Sequence, residues 1–344
     1  MSVSFAVLFP IVLLAIVSVF CFVGCDAGGL GGEFWGEIPP PFTQYSDLTV
    51  LSNLNLIAYW PLNDKIIGGV DPVNAQDASP NPAKGNYIDA KNTPSFYPWP
   101  VYGIPNLPNP VQSAAAPGTI AFQQSGIVAG DIVQPPGNPN VKTDCVVVNG
   151  GFVSVPIAPK FNLTSFTIEA WVRVDWDKNA SQAWRFVLDA RDFNPCTGFG
   201  ILAMADDQQG VYHWQAIVGN GGMAEAGFTF LPSSDPPIIL NDPTPEPPET
   251  TYYIALTYDG SLKELILYVS GQPRGTLKPV NYVANTTQAL LIGAGSPLVP
   301  PGPEPTGVPL FPFDGAIQDV AVYKAALGAN DILQHAKNGI GILN

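Results

Sequence analysis

Short apolar or alternating runs, each closed by turn-forming residues, recur along the chain from about Leu54. Ile57-Ala58-Tyr59-Trp60, Cys145-Val146-Val147-Val148, Arg185 to Leu188, Gly200 to Met204 and Tyr212 to Val218 are of this kind. So are Tyr253 to Tyr258, Leu265 to Val269, Leu290 to Gly293 and Ile317 to Tyr323. In Phe166 to Val174, the residues Phe166, Ile168, Ala170 and Val172 alternate with Thr167, Glu169, Trp171 and Arg173. That period of two is the pattern of a strand with one apolar face. Asp259-Gly260 separates two such runs and readily takes positive φ, so the strands around it are expected to form an antiparallel hairpin. Ala329 to Lys337 reads as a helix, with Ile332, Leu333 and Ala336 on one face and Gly339 as its stop. Many strands at regular spacing, with no long helical period between them, predict an all-β sandwich or barrel.

Composition sharpens this picture. The 344 residues include 34 Gly and 37 Pro, as many short elements joined by turns require. Hydrophobic residues make up 46%, enough for a sizeable core, and charged residues only 12%, about half the ordinary share. The net charge of -14, with no run of Lys or Arg, argues against a nucleic-acid partner. Residues 65–140 are rich in Pro, Gly and Asn, carry few strand signals and read as a long insertion. Residues 232–249 and 296–312 read as shorter Pro-rich loops.

Residues 2–24 hold no charged side chain, a length that approaches the roughly 20 residues of a membrane span. Phe22-Val23-Gly24-Cys25 resembles a bacterial lipobox, in which the Cys is lipidated and becomes the new N-terminus. Residues 1–24 are therefore expected to be a signal peptide or membrane anchor, with Cys25 as the lipidation site. An uncleaved anchor and an ordinary signal peptide are the alternatives, and all three place the rest of the chain outside the cytoplasm, at a cell surface or extracellular. Residues 25–49 form a Gly- and Pro-rich tether. In an exported protein the even pair Cys145 and Cys196 suggests a disulfide, the alternative being two buried free thiols.

The strands also carry a family resemblance. Ala58-Tyr59-Trp60-Pro61-Leu62-Asn63-Asp64 resembles the opening strand of laminin G-like (concanavalin A-like) jelly rolls, and Phe166 to Val172 resembles the family's most recognisable strand. Ile254 to Gly260 with Leu265 to Gly271 looks like its hairpin pair. Leu291 to Ala294, Phe313 to Tyr323 and the terminal helix follow in the family's order. The resemblance implies a two-sheet antiparallel jelly-roll sandwich with a short C-terminal helix over residues 50–344. It also implies a calcium site, with Asp64, Asp314 and Asp319 as candidate ligands, since calcium takes six to eight oxygens from loops and carboxylates. Gln318 stands where the family commonly has Asp.

Candidate chemistry is sparse. His213 lies on a strand-like run and His335 on the terminal helix, where it is expected to face solvent. There is no G-x-S-x-G, H-E-x-x-H or P-loop motif. Glycoside hydrolysis needs two carboxylates. Glu169, a candidate for a concave surface, is alone on its strand, so an enzyme is not expected. A sugar would stack its C–H face on exposed aromatic rings. The candidates are Tyr97 and Trp99, with Tyr87, in the insertion; Trp176 and Trp184 beside the loop after the Phe166 strand; and Trp214, alternating with Tyr212 on an exposed sheet face. For each, packing beneath a loop is the alternative, and Trp60 and Trp171 are assigned to structural positions. Asn162, Asn179 and Asn285 head glycosylation sequons. The reading is a non-catalytic surface module with lectin-like recognition of a glycan or a surface protein. The alternatives are a self-assembling structural subunit of a cell envelope, sheath or extracellular filament, and a polysaccharide-active enzyme.

Overall fold

The alternation becomes twenty strands in a computed structural model, which describes residues 45–89, 118–133, 141–175, 184–193, 195–206, 211–222, 238–296 and 311–341. In chain order they are β1 (Leu56–Trp60), β2 (Asn74–Ala75), β3 (Gly85–Ile88), β4 (Thr119–Ser125), β5 (Ile132–Val133), β6 (Val141–Lys142) and β7 (Asp144–Asn149). Next come β8 (Phe152–Val155), β9 (Phe166–Val174), β10 (Trp184–Asp189), β11 (Asp192–Phe193), β12 (Cys196–Thr197), β13 (Phe199–Asp206) and β14 (Val211–Val218). The last are β15 (Ile238–Asn241), β16 (Thr251–Asp259), β17 (Glu264–Val269), β18 (Gln272–Leu277), β19 (Leu290–Ile292) and β20 (Asp314–Tyr323), followed by helix α1 (Ala329–Gly339). The first sheet runs β18-β17-β16-β9-β20-β7-β4, with β1 also paired to β20, and the second runs β15-β14-β13-β10-β19-β8-β3-β2. Together they make a two-sheet antiparallel jelly-roll sandwich with one short C-terminal helix. Residues 65–140, poor in strand signals, nevertheless supply β4 to the first sheet and β2 and β3 to the edge of the second.

Strand β9 shows how pattern becomes packing. Phe166, Ile168, Ala170, Val172 and Val174 enter the core between the sheets, where they meet Val153, Val187, Ile201, Ala203 and Ile292 of the second sheet. Each large apolar side chain buried there contributes about 1.5–3 kcal/mol. The alternate residues face the other side of the sheet, yet they too are covered. There Trp171 joins Tyr45, Val50, Tyr253, Tyr323, Ile332 and Ala336 in a second apolar cluster beneath α1. A Cβ at Gly339 would lie 1.9 Å from the Trp171 ring. Gly339 therefore sits inside the helix for close packing, where the sequence suggested a stop beyond its end.

Strand β20 changes partner halfway. Asp314 to Ile317 pair with β7 and Val320 to Tyr323 with β1. Between them the register against β9 shifts at a bulge where Asp319 adopts φ 54°, and the Asp319 N–H donates to the Pro61 carbonyl at 3.2 Å. The neighbouring Gln318 carboxamide ties β20 to the segment that follows β4. Its Oε1 accepts the Ile127 and Val128 N–H groups at 2.8 and 3.3 Å, and its Nε2 donates to Thr143 Oγ1 at 2.8 Å. An aspartate could not donate that last bond.

The expected hairpin joins β16 to β17. Its turn is closed differently from expectation: Asp259 Oδ1 accepts the Ser261 and Leu262 N–H groups, and the positive φ falls on Lys263 rather than Gly260. Gly260 is there for space, since a Cβ would stand 2.2 Å from the Thr164 carbonyl.

Candidate functional site

The aromatic candidates divide. Tyr97, Trp99 and Trp176 lie outside the described residues, as does Cys25. Trp214 does not face outward. Pairing of β13 with β14 sets Ala203 opposite Trp214 and Ile201 opposite Ala216, all on the core side, and the Trp214 ring is fully buried against Tyr212 and Tyr252. Alternation then puts His213, Gln215 and Ile217 on the outer face, where three rows cross the sheet: Trp184–Met204–His213, Phe186–Leu202–Gln215 and Asp189–Gly200–Ile217. Trp184 is half-buried and its ring packs at a tilt against Phe311, centroids 5.3 Å apart. Asp189 is neutralised by a buried bidentate pair with Arg191 at 2.8 Å, and that guanidinium lies over the Phe186 ring. Tyr87 is a core residue that packs edge-on against Phe122.

The three aspartates proposed for calcium are engaged separately. Asp64 accepts the Tyr87 hydroxyl at 2.7 Å, and Asp314 faces Arg185 at 3.5 Å. Asp319 is wholly buried and accepts the Tyr59 hydroxyl at 2.6 Å; burial, reinforced by the charge of Asp131, pushes its carboxyl far above the usual range. No group of three His, Cys, Asp or Glu able to hold a metal occurs among the described residues. The three carboxylates do not fit one calcium ion between them.

Cys145 and Cys196 are both free and buried, which corrects the expected disulfide. Cys145 lies in β7 of the first sheet with its thiol against the Ser125 carbonyl, while Cys196 lies in the small β11–β12 hairpin after β10 of the second. Burial pushes the Cys145 thiol up to about 12 and raises that of Cys196, as expected of unreactive structural thiols.

Glu169 and His335 also depart from expectation. Glu169 is 0% exposed, so it serves no concave surface, and His335 is buried rather than solvent-facing. The Glu169 carboxylate accepts the hydroxyls of Tyr253 at 2.5 Å, Tyr323 at 2.6 Å and Tyr45 at 3.4 Å, and meets His335 Nδ1 at 2.8 Å. Burial would raise the Glu169 carboxyl, but the His335 charge and these hydrogen bonds hold it below the usual range. Burial would likewise lower His335, and Glu169 more than offsets this. The network secures α1 and the segment at Tyr45 to the sheet and leaves the carboxylate no access to a substrate.

A cleft opens at one end of the sandwich, between the sheets. Ala190, Phe199, Leu290 and Val322 form its buried apolar floor; Ile157, Phe161, Leu163 and Tyr282 form a half-buried rim. Its enclosed interior is small, about 20 Å³, the room that one water-sized group needs. Behind the rim, Tyr282 packs on Phe166 and Tyr258 with ring centroids 5.0 and 5.2 Å apart. The loop bearing Tyr282 is tied down by Val283, whose N–H donates to the Gly219 carbonyl and whose carbonyl accepts the Gly198 N–H. Gly198 has φ 80°, and a Cβ there would lie 2.0 Å from the Ala190 carbonyl, so only glycine fits.

Two amides complete the cleft. Asn285 Oδ1 accepts the Thr287 and Gln288 N–H groups, and its Nδ2 donates to the Gln288 carbonyl. Asn285 is thus buried and fully engaged, which removes it as a glycosylation site, whereas Asn162 is exposed. Gln288 as a residue is 6% exposed and lines the cleft, with its carboxamide reaching solvent. No motif in the sequence marks this cleft. Its signal was Asn285-Thr286-Thr287-Gln288, an Asn-headed turn just before an apolar strand, with Tyr282 close by.

A family model for the concanavalin A-like lectin/glucanases superfamily (Laminin_G_3) matches residues 149–333, more than half of the chain. No curated protein matches the sequence. Among solved structures, a native heptameric SAP-like pentraxin from Limulus polyphemus is 13% identical, with TM-score 0.38 over 53% of this chain and 72% of that one. Domain 4 of AbnA, a GH43 extracellular arabinanase from Geobacillus stearothermophilus solved with arabinotriose, is 18% identical, with TM-score 0.38 over 64% and 88%. The receptor-binding domain of a botulinum neurotoxin C/D mosaic serotype is 10% identical, with TM-score 0.46 over 82% and 51%. The chain spans about half the length of that neurotoxin domain.

Proposed function

As the chain belongs to the concanavalin A-like lectin/glucanases superfamily, we propose that it is a non-catalytic binding module that takes part of a glycan into the end cleft. The carrying observation is the end cleft itself, in which an apolar floor lies beside the rings of Phe161 and Tyr282 and the amide side chains of Asn285 and Gln288. The rim rings Phe161 and Tyr282 offer faces for sugar C–H groups. Catalysis is not supported there, because no described carboxylate lines the cleft and Glu169 is sealed beneath the helix. Residues 2–24 and Cys25 support an exported, membrane-anchored location.

The test is binding of the full chain to a broad glycan panel, with calcium and with chelator, repeated with Tyr282→Ala. Saturable binding that weakens in the variant supports the reading. Absence of binding by the folded protein in both conditions sinks it. A second reading, self-assembly or binding of a protein, is favoured by the turn Ile67–Val70, whose two apolar side chains are 78% and 67% exposed with Val73 at 59% beside them. Sedimentation at micromolar concentration separates the two.

A further inference from the structure

We infer that the turn Ile67–Val70 docks on a lipid surface, that of the uncharged bilayer in which the same chain is anchored. The inference rests on the membrane-anchored location proposed above and is independent of the glycan reading. Four of the nine large hydrophobic side chains exposed among the described residues, Ile66, Ile67, Val70 and Val73, fall at positions 66–73. Ile67 and Val70 exchange backbone hydrogen bonds at 3.2 and 3.1 Å across Gly68 and Gly69, whose φ values of 62° and 80° make a tight two-residue turn. A Cβ at either glycine would meet nothing within 4 Å, so the tip stands clear of the protein. No charged side chain interrupts residues 66–70, and the paired backbone at the base of the tip lowers the cost of entering the bilayer interface.

A turn of this kind offers on the order of a few hundred Å² of apolar surface, short of the roughly 800 Å² that each partner gives to a stable protein interface. Alone it suits a lipid surface better than a second copy. Anchoring supplies what the small area lacks. Tyr45, the first described residue, follows Cys25 by about 20 residues, which span at most about 70 Å. The domain of an anchored chain therefore stays beside the bilayer, and weak apolar contacts suffice once the encounter is intramolecular. A short run of contacts joins the chain's entry to the turn. Ser46 Oγ donates to Asp131 Oδ1 at 3.0 Å, the Asp131 carbonyl accepts the Thr143 N–H at 3.0 Å, and Asp144 pairs with Lys65, which precedes Ile66. The net charge of -14 disfavours an anionic surface.

The experiment places the full chain in phosphatidylcholine nanodiscs whose headgroups carry a paramagnetic label, and reads the broadening of methyl resonances. Ile67, Val70 and Val73 should broaden severalfold more than Leu262 and Val283, which are exposed elsewhere on the domain. Joint replacement Ile67→Asp and Val70→Asp, at two surface positions, should bring Val73 down to the level of Leu262. Equal broadening at all these methyls, or none at Ile67 and Val70 in discs that hold the chain, overturns the docking while the anchorage stands. Failure of the full chain to associate with the discs overturns the anchorage and the docking together. A dimer in sedimentation that the double variant dissolves assigns the turn to a second copy and likewise overturns the inference.

Discussion

The imidazole of His335 on α1 and the carboxylate of Glu169 on β9 meet at 2.8 Å in the buried layer outside the first sheet, 166 residues apart in sequence. With the hydroxyls of Tyr45, Tyr253 and Tyr323, they fasten the helix to the sandwich. Replacing Glu169 with Ala strands three hydroxyls and a histidine in a dry layer. We expect a loss of about 3–5 kcal/mol of stability, with Glu169→Gln losing less. Urea denaturation followed by tryptophan fluorescence measures it.

The same pair sets a pH window. His335 titrates above its ordinary value in the folded state, so its contribution is complete below the unfolded value of about 6.5 and is lost as pH rises through the folded value. Glu169 titrates below its ordinary value, so its contribution is complete above about 4.3 and is lost as pH falls through the folded value. The pair therefore stabilises most between about pH 4.3 and 6.5. His335→Gln should flatten the alkaline decline in melting temperature. An unchanged alkaline limb in that variant would mean that the pair does not set it.

Cys145 and Cys196 are expected to behave as buried thiols. Without reductant, native protein should leave both peptides unalkylated, and unfolding should label both. Reductant should leave the melting temperature unchanged. A linked Cys145–Cys196 peptide in mass spectra would contradict the structure.

Gly198 couples the backbone to the cleft. Gly198→Ala faces both a left-handed φ and a carbonyl at 2.0 Å, so the loop carrying Asn285 and Gln288 must shift. A stability loss of about 1–3 kcal/mol and weakened glycan binding are expected together, measured by melting and titration.

Much of the fold was legible because strand alternation and the inter-sheet core are local consequences of one another. Phe166, Ile168, Ala170 and Val172 face inward as their spacing requires. Legibility failed where both faces of a sheet are covered. On β14 aromatic and polar residues alternate, and only the pairing of Trp214 with Ala203 decides which set goes inside. His335 looked like a surface residue because its partner lies on a distant strand, and Cys145 and Cys196 belong to separate parts of the sandwich. The cleft was hidden for a related reason: Phe199, Leu290 and Val322 come from three strands, and none carries a motif.

The most direct test of the account is a methyl-detected NMR titration of the full chain with a neutral oligosaccharide that the glycan panel returns as a binder. The account predicts saturable shifts at Ile157, Leu163, Leu290 and Val322 around the cleft, with the outer-face methyls of Leu202 and Ile217 unmoved. Shifts confined to Leu202 and Ile217, or none at saturating ligand, would contradict it.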